Sequence, residues 1–405
     1  LGMTGKFQKS WADFGGFKPH VALEYDCFVA LAHGARCSIG DQLHPSGALD
    51  QATYDLIEPV YASVEAKEPW CEGAEPAVEL AVVTPEALGL EDGRVDTSAR
   101  GALRLLQEAH YQFDVVDFDM PWDGYKLVVL PDKIVLNEAH AAKVRAFLTA
   151  GGRVLASHRS GLTPDGARFA LDELGVELLG EPEYSPDYVE ALGPLSRNVR
   201  PTQHVMYDRG LRVKVRGGGS QGGGTQGAEV LARVWEPYFN RTWRHFTSHR
   251  HAPAHRPTDD PAAVKSGGCI YFAHPVFSSY GRHGAEALRQ MLLNALALLL
   301  PEPLVKTSAP STAQVTLTRQ AGKGRTIAHI LHYVPEARYS ELQLVAERLP
   351  IHGVRLEVAL ERAPARVYLA PEEQPLAWEY AAGRAAVTVD RVDGHAMVVF
   401  EEESR

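Results

Sequence analysis

Lys126-Leu127-Val128-Val129-Leu130, a helical stretch from Asn137 to Ala150, the stop Gly151-Gly152, and Arg153-Val154-Leu155-Ala156-Ser157 read as strand, helix, break and strand. Both strands are apolar at successive positions, not alternate ones, as a strand covered on both faces of a parallel sheet requires. The pattern extends outward. Glu79-Leu80-Ala81-Val82-Val83 predicts a strand, Thr97 to Ala109 a helix and Phe113 to Phe118 a strand; further on, Ile270 to Ala273 predicts a late strand and Gly284 to Leu300 a long apolar helix. Apolar strands alternating with helices predict a doubly wound α/β domain. Between Gly180 and about Pro261 the pattern is less regular.

Two more strand-helix units precede this block. Leu1 to Phe7 can form a short strand; Pro19 opens a helix with Val21, Leu23, Cys27, Phe28 and Leu31 at helical spacing, and Gly34 closes it. Ala35 to Gly40 then reads as a buried strand, and Asp50 to Lys67 as a helix with Leu56, Ile57, Val60 and Val64 on one face. A parallel barrel takes eight such units, so these two must lean on something else. Beyond Pro301 and Pro303, short alternating segments such as Val315 to Arg319, Thr326 to Tyr333 and Ala396 to Phe400 predict an antiparallel β-sandwich. The expected division is 1–70, 77–303 and 312–402.

Composition narrows the functional classes. The 405 residues are 45% hydrophobic and 23% charged, as in ordinary globular chains, and 41 basic against 51 acidic side chains give a net charge of -10, a poor match for nucleic acid. Apolar runs such as Met291 to Leu300 fall short of the roughly 20 residues that cross a bilayer. The four cysteines, Cys27, Cys37, Cys71 and Cys269, have neither disulfide-scaffold nor zinc-ribbon spacing and are expected to be reduced core thiols. Leu1-Gly2-Met3-Thr4-Gly5 has no signal-peptide architecture and looks like a cut edge, so a fragment of a longer, cytoplasmic protein is expected.

Two loops after the N-terminal strands carry the first candidate chemistry. Lys9-Ser10-Trp11-Ala12-Asp13-Phe14-Gly15-Gly16 offers an indole to stack on a sugar ring and charged groups for its hydroxyls; Asp41, Gln42 and His44, in the loop ending at Gly47, add polar reach on the same rim. The alternatives are an ordinary loop around a buried tryptophan and a satisfied loop histidine. Together the two loops resemble the last two β-α units of a bacterial glycoside hydrolase barrel of the α-L-fucosidase-like group that carries a β-galactosidase-type trimerisation domain. Lys126 to Lys133 with Val144 to Leu155 is similar to that trimerisation domain, whose fold is flavodoxin-like and related to class I glutamine amidotransferases.

The resemblance implies a partial (β/α)8 barrel, a doubly wound domain and a β-sandwich. It also implies an O-glycosyl hydrolase acting on α-L-fucosides or β-galactosides, with no cofactor and no metal, and a homo-oligomer, by expectation a trimer. Lys9, Trp11, Asp13, Asp41, Gln42 and His44 are the substrate-binding candidates. Glycosidases need two carboxyl groups about 5 to 9 Å apart. In such barrels these come from other strands, and Asp13 is the only catalytic candidate here, so the chain is expected to hold an incomplete active site. The rival reading is a non-catalytic assembly or sugar-binding scaffold.

Three other features bear on the chemistry. The turn Leu155-Ala156-Ser157-His158-Arg159-Ser160-Gly161 lacks the cysteine of an amidotransferase elbow, and Ser157 beside His158 reads as turn chemistry. Gly217 to Gly227 lacks the Gly-Lys-Ser/Thr ending of a phosphate loop and reads as a flexible loop. Tyr238 to His255 has many histidines but no cysteine, which favours an aromatic, cationic contact loop over a metal site. Asn240, Arg241, Trp243, His245 and His249 are expected to help wall a neighbouring subunit's pocket, a role the resemblance implies; the alternative is a solvated insertion.

Overall fold

The computed structural model describes residues 1–89, 96–217, 228–339 and 342–403. The glycine tract therefore lies, except for Gly217, outside the described residues. Two compact units form: Leu1–Val78 with His110–Gln112 and Pro303–Arg405, and Glu79–Ala109 with Phe113–Glu302. Residues 1–78 and 303–405, separate by their sequence patterns, share one unit.

The first unit begins with β1 (Gly2–Gly5), α1 (His20–Ala32), β2 (Cys37–Gly40) and α2 (Gln51–Cys71). The two strands pair in parallel, Gly2 opposite Cys37 and Gly5 opposite Gly40, with α1 as the crossover a parallel pair needs. Both helices run where the apolar spacing puts them, although α2 continues to Cys71 through Pro59 and Pro69. Their apolar faces do not close on each other alone: Leu23, Cys27, Phe28, Leu31, Val60 and Val64 form one core with Leu331, Tyr333 and Val345. The buried Glu24 carboxylate of α1 accepts from Tyr333 Oη and the Arg348 guanidinium. This is the support the two lone β-α units require.

A two-residue strand, β3 (Glu75–Pro76), leaves α2 and joins the edge of Ala313–Gln320 in a six-stranded sheet. A four-stranded sheet of Val305–Thr307, Ile351–Ala359, Arg384–Val392 and Trp378–Ala381 faces it. Among the described residues every strand pairing in both sheets is antiparallel, and Val315, Leu317, Ile330, Val398 and Phe400 of one share a core with Leu356, Val358, Val387 and Val389 of the other. The alternation seen in sequence thus turns every second side chain inward to make a sandwich.

The second unit is built on a nine-stranded sheet. Its parallel half contains β4 (Leu80–Val83), β5 (Phe113–Val116), β6 (Leu127–Leu130), β7 (Arg153–Ser157) and the strand Cys269–Phe272. Numbered along the chain, the parallel strands lie in the order 2-1-3-4-5, that of flavodoxin-like folds. All four residues of β4 and of β6 are buried. Successive side chains point to opposite faces, so both faces are covered. Helices α3 (Thr97–Glu108) and α4 (Glu138–Thr149) begin at Asp96 and Asn137, whose side chains accept the Ser98 and His140 backbone N–H groups.

The region of less regular sequence belongs to the same sheet. Ala254–Ser266, Ala228–Pro237, Asp187–Ala191 and His204–Met206 extend it with antiparallel pairings. Register shifts within the long hairpin break the period-two pattern that would have marked its strands. A helix without a sequence expectation, Val276–His283, crosses α3 so closely that a methyl group on Gly101 would sit 2.0 Å from the Phe277 carbonyl oxygen. Among the described residues no helix is long and apolar enough to cross a membrane.

Candidate functional site

The C-terminal ends of β1 and β2 open into two loops that meet. Phe14 and His44 approach edge to face with ring centroids 6.5 Å apart. Between and below them lies a hollow of about 680 Å³ lined by Lys6, Phe14, Asp41, Gln42, His44 and Asp50 among others. Lys6 follows β1 directly and is only 2% exposed; its Nζ stands 3.7 Å from Asp41 and 3.9 Å from Asp50. The same ammonium lies 4.5 Å from the Phe17 ring centroid and 5.3 Å from that of Phe7. Two carboxylates and two aromatic faces compensate a charge that could not otherwise be buried.

Of the six substrate-binding candidates, Asp41, Gln42 and His44 line the hollow, and Lys9, Trp11 and Asp13 are not among its lining residues. Trp11 lies across the strand ends: its ring meets Phe7 at 5.1 Å, and a methyl group on Gly40 would fall 2.3 Å from its Cη2. Glycine at 40 is thus what lets the indole rest on backbone, leaving it 53% exposed. Asp13 Oδ2 accepts the Lys9 backbone N–H at 3.3 Å, holding the loop's turn. The exposed His44 shares its Nδ1 with Ser46 Oγ at 2.8 Å. The hollow therefore presents carboxylate acceptors, an amide, an imidazole and an aromatic edge, a set suited to a polyhydroxylated ligand. The sequence does not single out Lys6 or Asp50. A lone lysine reads as solvated, and a helix-start aspartate reads as a cap.

The second candidate group lies between the strands Ala228–Pro237 and Ala254–Ser266. Asn240 ties the loop down, its Oδ1 accepting from the Ser185 backbone N–H at 3.0 Å and its Nδ2 donating to the Glu183 carbonyl at 2.8 Å. Arg241 donates to the Arg250 carbonyl and lies over Phe246, while Arg244 lies 4.7 Å from the Trp243 ring centroid. Trp243 is 85% exposed. The His245 and His249 backbone N–H groups donate to Thr242 and Thr247. The ring contacts of His245, His251 and His255 are to Phe239, Tyr188 and Tyr238 respectively, so these imidazoles serve separate aromatic partners.

At the end of β7, Ser157 Oγ donates to Asp132 Oδ1 at 2.6 Å and accepts the Asp132 backbone N–H at 3.0 Å. Asp132 in turn accepts the Phe277 and Ser278 backbone N–H groups at 3.4 and 2.7 Å, capping the helix Val276–His283. Burial raises the Asp132 carboxyl despite the donors around it, and burial pushes His158 down to about 4. Ser157 is thus engaged in a cap.

The sequence profile of one domain family aligns with the segment that includes α3, β5, β6, α4 and β7. Residues 92–178 match the β-galactosidase trimerisation domain. The alpha-L-fucosidase isoenzyme 2 from Paenibacillus thiaminolyticus is 39% identical and superposes with a TM-score of 0.92, over 100% of this chain and 60% of its own. A β-galactosidase from Bacillus circulans sp. alkalophilus is 13% identical with a TM-score of 0.62, over 99% of this chain and 55% of its own. One from Rahnella sp. R3 is 14% identical with a TM-score of 0.59, over 96% and 52%. The galactosidases share the fold; the fucosidase shares sequence as well. The chain is glycoside hydrolase-like throughout, and it spans 60% of the fucosidase's length.

Proposed function

We propose that this chain is the C-terminal portion of a glycoside hydrolase that cleaves α-L-fucosides or β-galactosides. The observation that carries the reading is the 39% identity along the whole chain to an alpha-L-fucosidase. In this account residues 1–70 are the last two β-α units of the catalytic barrel, 77–303 the trimerisation domain and 312–402 the sandwich. The parallel pair β1 and β2, with its crossover helix and its loops gathered at one end, supports the barrel assignment.

Asp41, Gln42 and His44 bind sugar hydroxyls, while Trp11, with Lys9 and Asp13 in its loop, forms an aromatic shoulder. Lys6 fixes the floor. The parent reaction is acid-assisted cleavage through an oxocarbenium-like transition state, with neither metal nor organic cofactor. Asp41 and Asp50 are held by Lys6, and Asp13 holds its own turn. The acid and its partner carboxylate therefore belong to other strands of the barrel. The enzyme assembles as a trimer, and the loop with Asn240, Arg241, Trp243, His245 and His249 walls the pocket of a neighbouring subunit. Its anchored base and exposed indole support that role.

The test is turnover of nitrophenyl α-L-fucoside and nitrophenyl β-galactoside by a longer form that contains this chain. Hydrolysis of one of them is expected, with His44→Ala and Trp11→Ala raising KM. No turnover of either would sink the reading. An Arg241→Ala, Trp243→Ala double variant that keeps both assembly and sugar affinity would sink the loop assignment.

A further inference from the structure

Lys6 has more hydrogen-bonding capacity than the fold uses. Its side chain is only 2% exposed, yet it borders the hollow at the ends of β1 and β2. An ammonium carries three N–H donors. Its two ion pairs, 3.7 Å to Asp41 Oδ1 and 3.9 Å to Asp50 Oδ2, are both longer than a hydrogen bond, and among the described residues no acceptor lies closer to Nζ. Asp41 is in the same position, with no donor within hydrogen-bond reach of its carboxylate among the described residues. Asp50 Oδ2 accepts from Thr53 Oγ1 at 2.8 Å. A buried ammonium that stops short of its acceptors is costly unless something completes it. We propose that Lys6, Asp41 and Asp50 together read a vicinal diol, with Lys6 in direct contact with the substrate. The proposal rests on the reading of this hollow as a sugar site.

A hydroxyl accepts and donates at once. An oxygen about 2.8 Å from both Lys6 Nζ and Asp41 Oδ1 closes a triangle whose third side is the observed 3.7 Å. A second oxygen closes the like triangle on the 3.9 Å between Lys6 Nζ and Asp50 Oδ2. Each hydroxyl accepts an N–H from the ammonium and donates its own O–H to a carboxylate. Two hydroxyls gathered on one nitrogen are most readily supplied by neighbouring carbons of one ring. A phosphate or carboxylate in their place would face two negative groups with one positive, which selects a neutral ligand over an anion. The exposed Phe14 lines the same hollow and offers its ring to the apolar face of the sugar. In a fucoside or galactoside O1 is closed by the glycosidic bond, so a vicinal pair of ring hydroxyls lies at carbons 2 and 3 or at carbons 3 and 4. Either pair contains the 3-hydroxyl, which is therefore one of the two that Lys6 holds.

The longer form that contains this chain is titrated with L-fucose, D-galactose and their 3-deoxy analogues, and binding is followed on the sugar by saturation-transfer NMR, without turnover. The parent is expected to bind one of the two sugars, and its 3-deoxy analogue about 10- to 150-fold more weakly, as loss of a hydrogen bond to a charged group requires. Lys6→Met is expected to bind that sugar no better than its 3-deoxy analogue. A lysine that only held the loops together would weaken binding and leave the discrimination intact. The 3-deoxy comparison is made on the parent, so it decides the matter even where Lys6→Met does not fold. A parent that binds neither sugar, a parent indifferent to the 3-hydroxyl, or a folded Lys6→Met that still prefers it would overturn the proposal. Discrimination at the 3-hydroxyl without hydrolysis of either nitrophenyl glycoside would sink the glycosidase reading and leave the diol site standing.

Discussion

Lys6 shows how one side chain organises a loop cluster. Its ammonium is the shared counter-charge of Asp41 and Asp50, so Lys6→Met keeps the stem but leaves two carboxylates facing each other. Full burial of both partners would make such a loss 3–5 kcal/mol. Asp50 is 45% exposed, so solvent softens the effect, and a loss of about 2 kcal/mol is expected in the urea unfolding midpoint. Trp243 is the contrasting case: at 85% exposure its replacement by alanine should move stability by no more than about 0.5 kcal/mol in the same assay. Asp132→Ala should cost about 1–3 kcal/mol by stripping the acceptor from Ser157 and from the N–H groups of Phe277 and Ser278, again read by urea.

At the level of elements, what can be read from sequence depends on how completely an element is buried. β4, β6 and β7 are legible because burial on both faces demands runs of apolar residues, α3 because Ala99, Ala102, Leu105 and Leu106 recur at helical spacing, and α4 because Gly151-Gly152 marks its end. The hairpin strands 228–237 and 254–266 are not legible, because bulges and polar positions hide their period. The helix Val276–His283 is masked by Gly281 and Gly284, which read as breaks. For the candidate site, the loop residues Asp41, Gln42 and His44 are legible as polar clusters after a strand, whereas the Lys6 floor appears only when the fold folds Asp50 back to it. Gly101 illustrates the same limit. Helix propensity alone favours alanine by about 1 kcal/mol, but the crossing leaves no room for a methyl group. Gly101→Ala is therefore expected to destabilise by about 1–3 kcal/mol, seen as a lower Tm.

Over the whole molecule, buried imidazoles set the response to acid. Burial holds His329 down to about 3 and lowers His395 well below the ordinary range, and the two rings stack in the first unit. His33 there and His158 in the second unit shift the same way. The unfolded chain takes up these protons near pH 6.5, and the fold resists them. The stabilisation is thus fully present above about pH 6.5 and is lost progressively as pH falls toward 3. Calorimetry between pH 7.5 and 5 should show a falling Tm, and His329→Gln should reduce the slope. The β1–β2 pair has a different consequence. Among the described residues these strands hydrogen-bond only to each other as a sheet, and Leu1 and Met3 beside that ladder are 85% and 65% exposed. Open peptide edges recruit further strands. Concentrated preparations of this chain should stick together through them, and a proline at Met3 should keep the molecules apart.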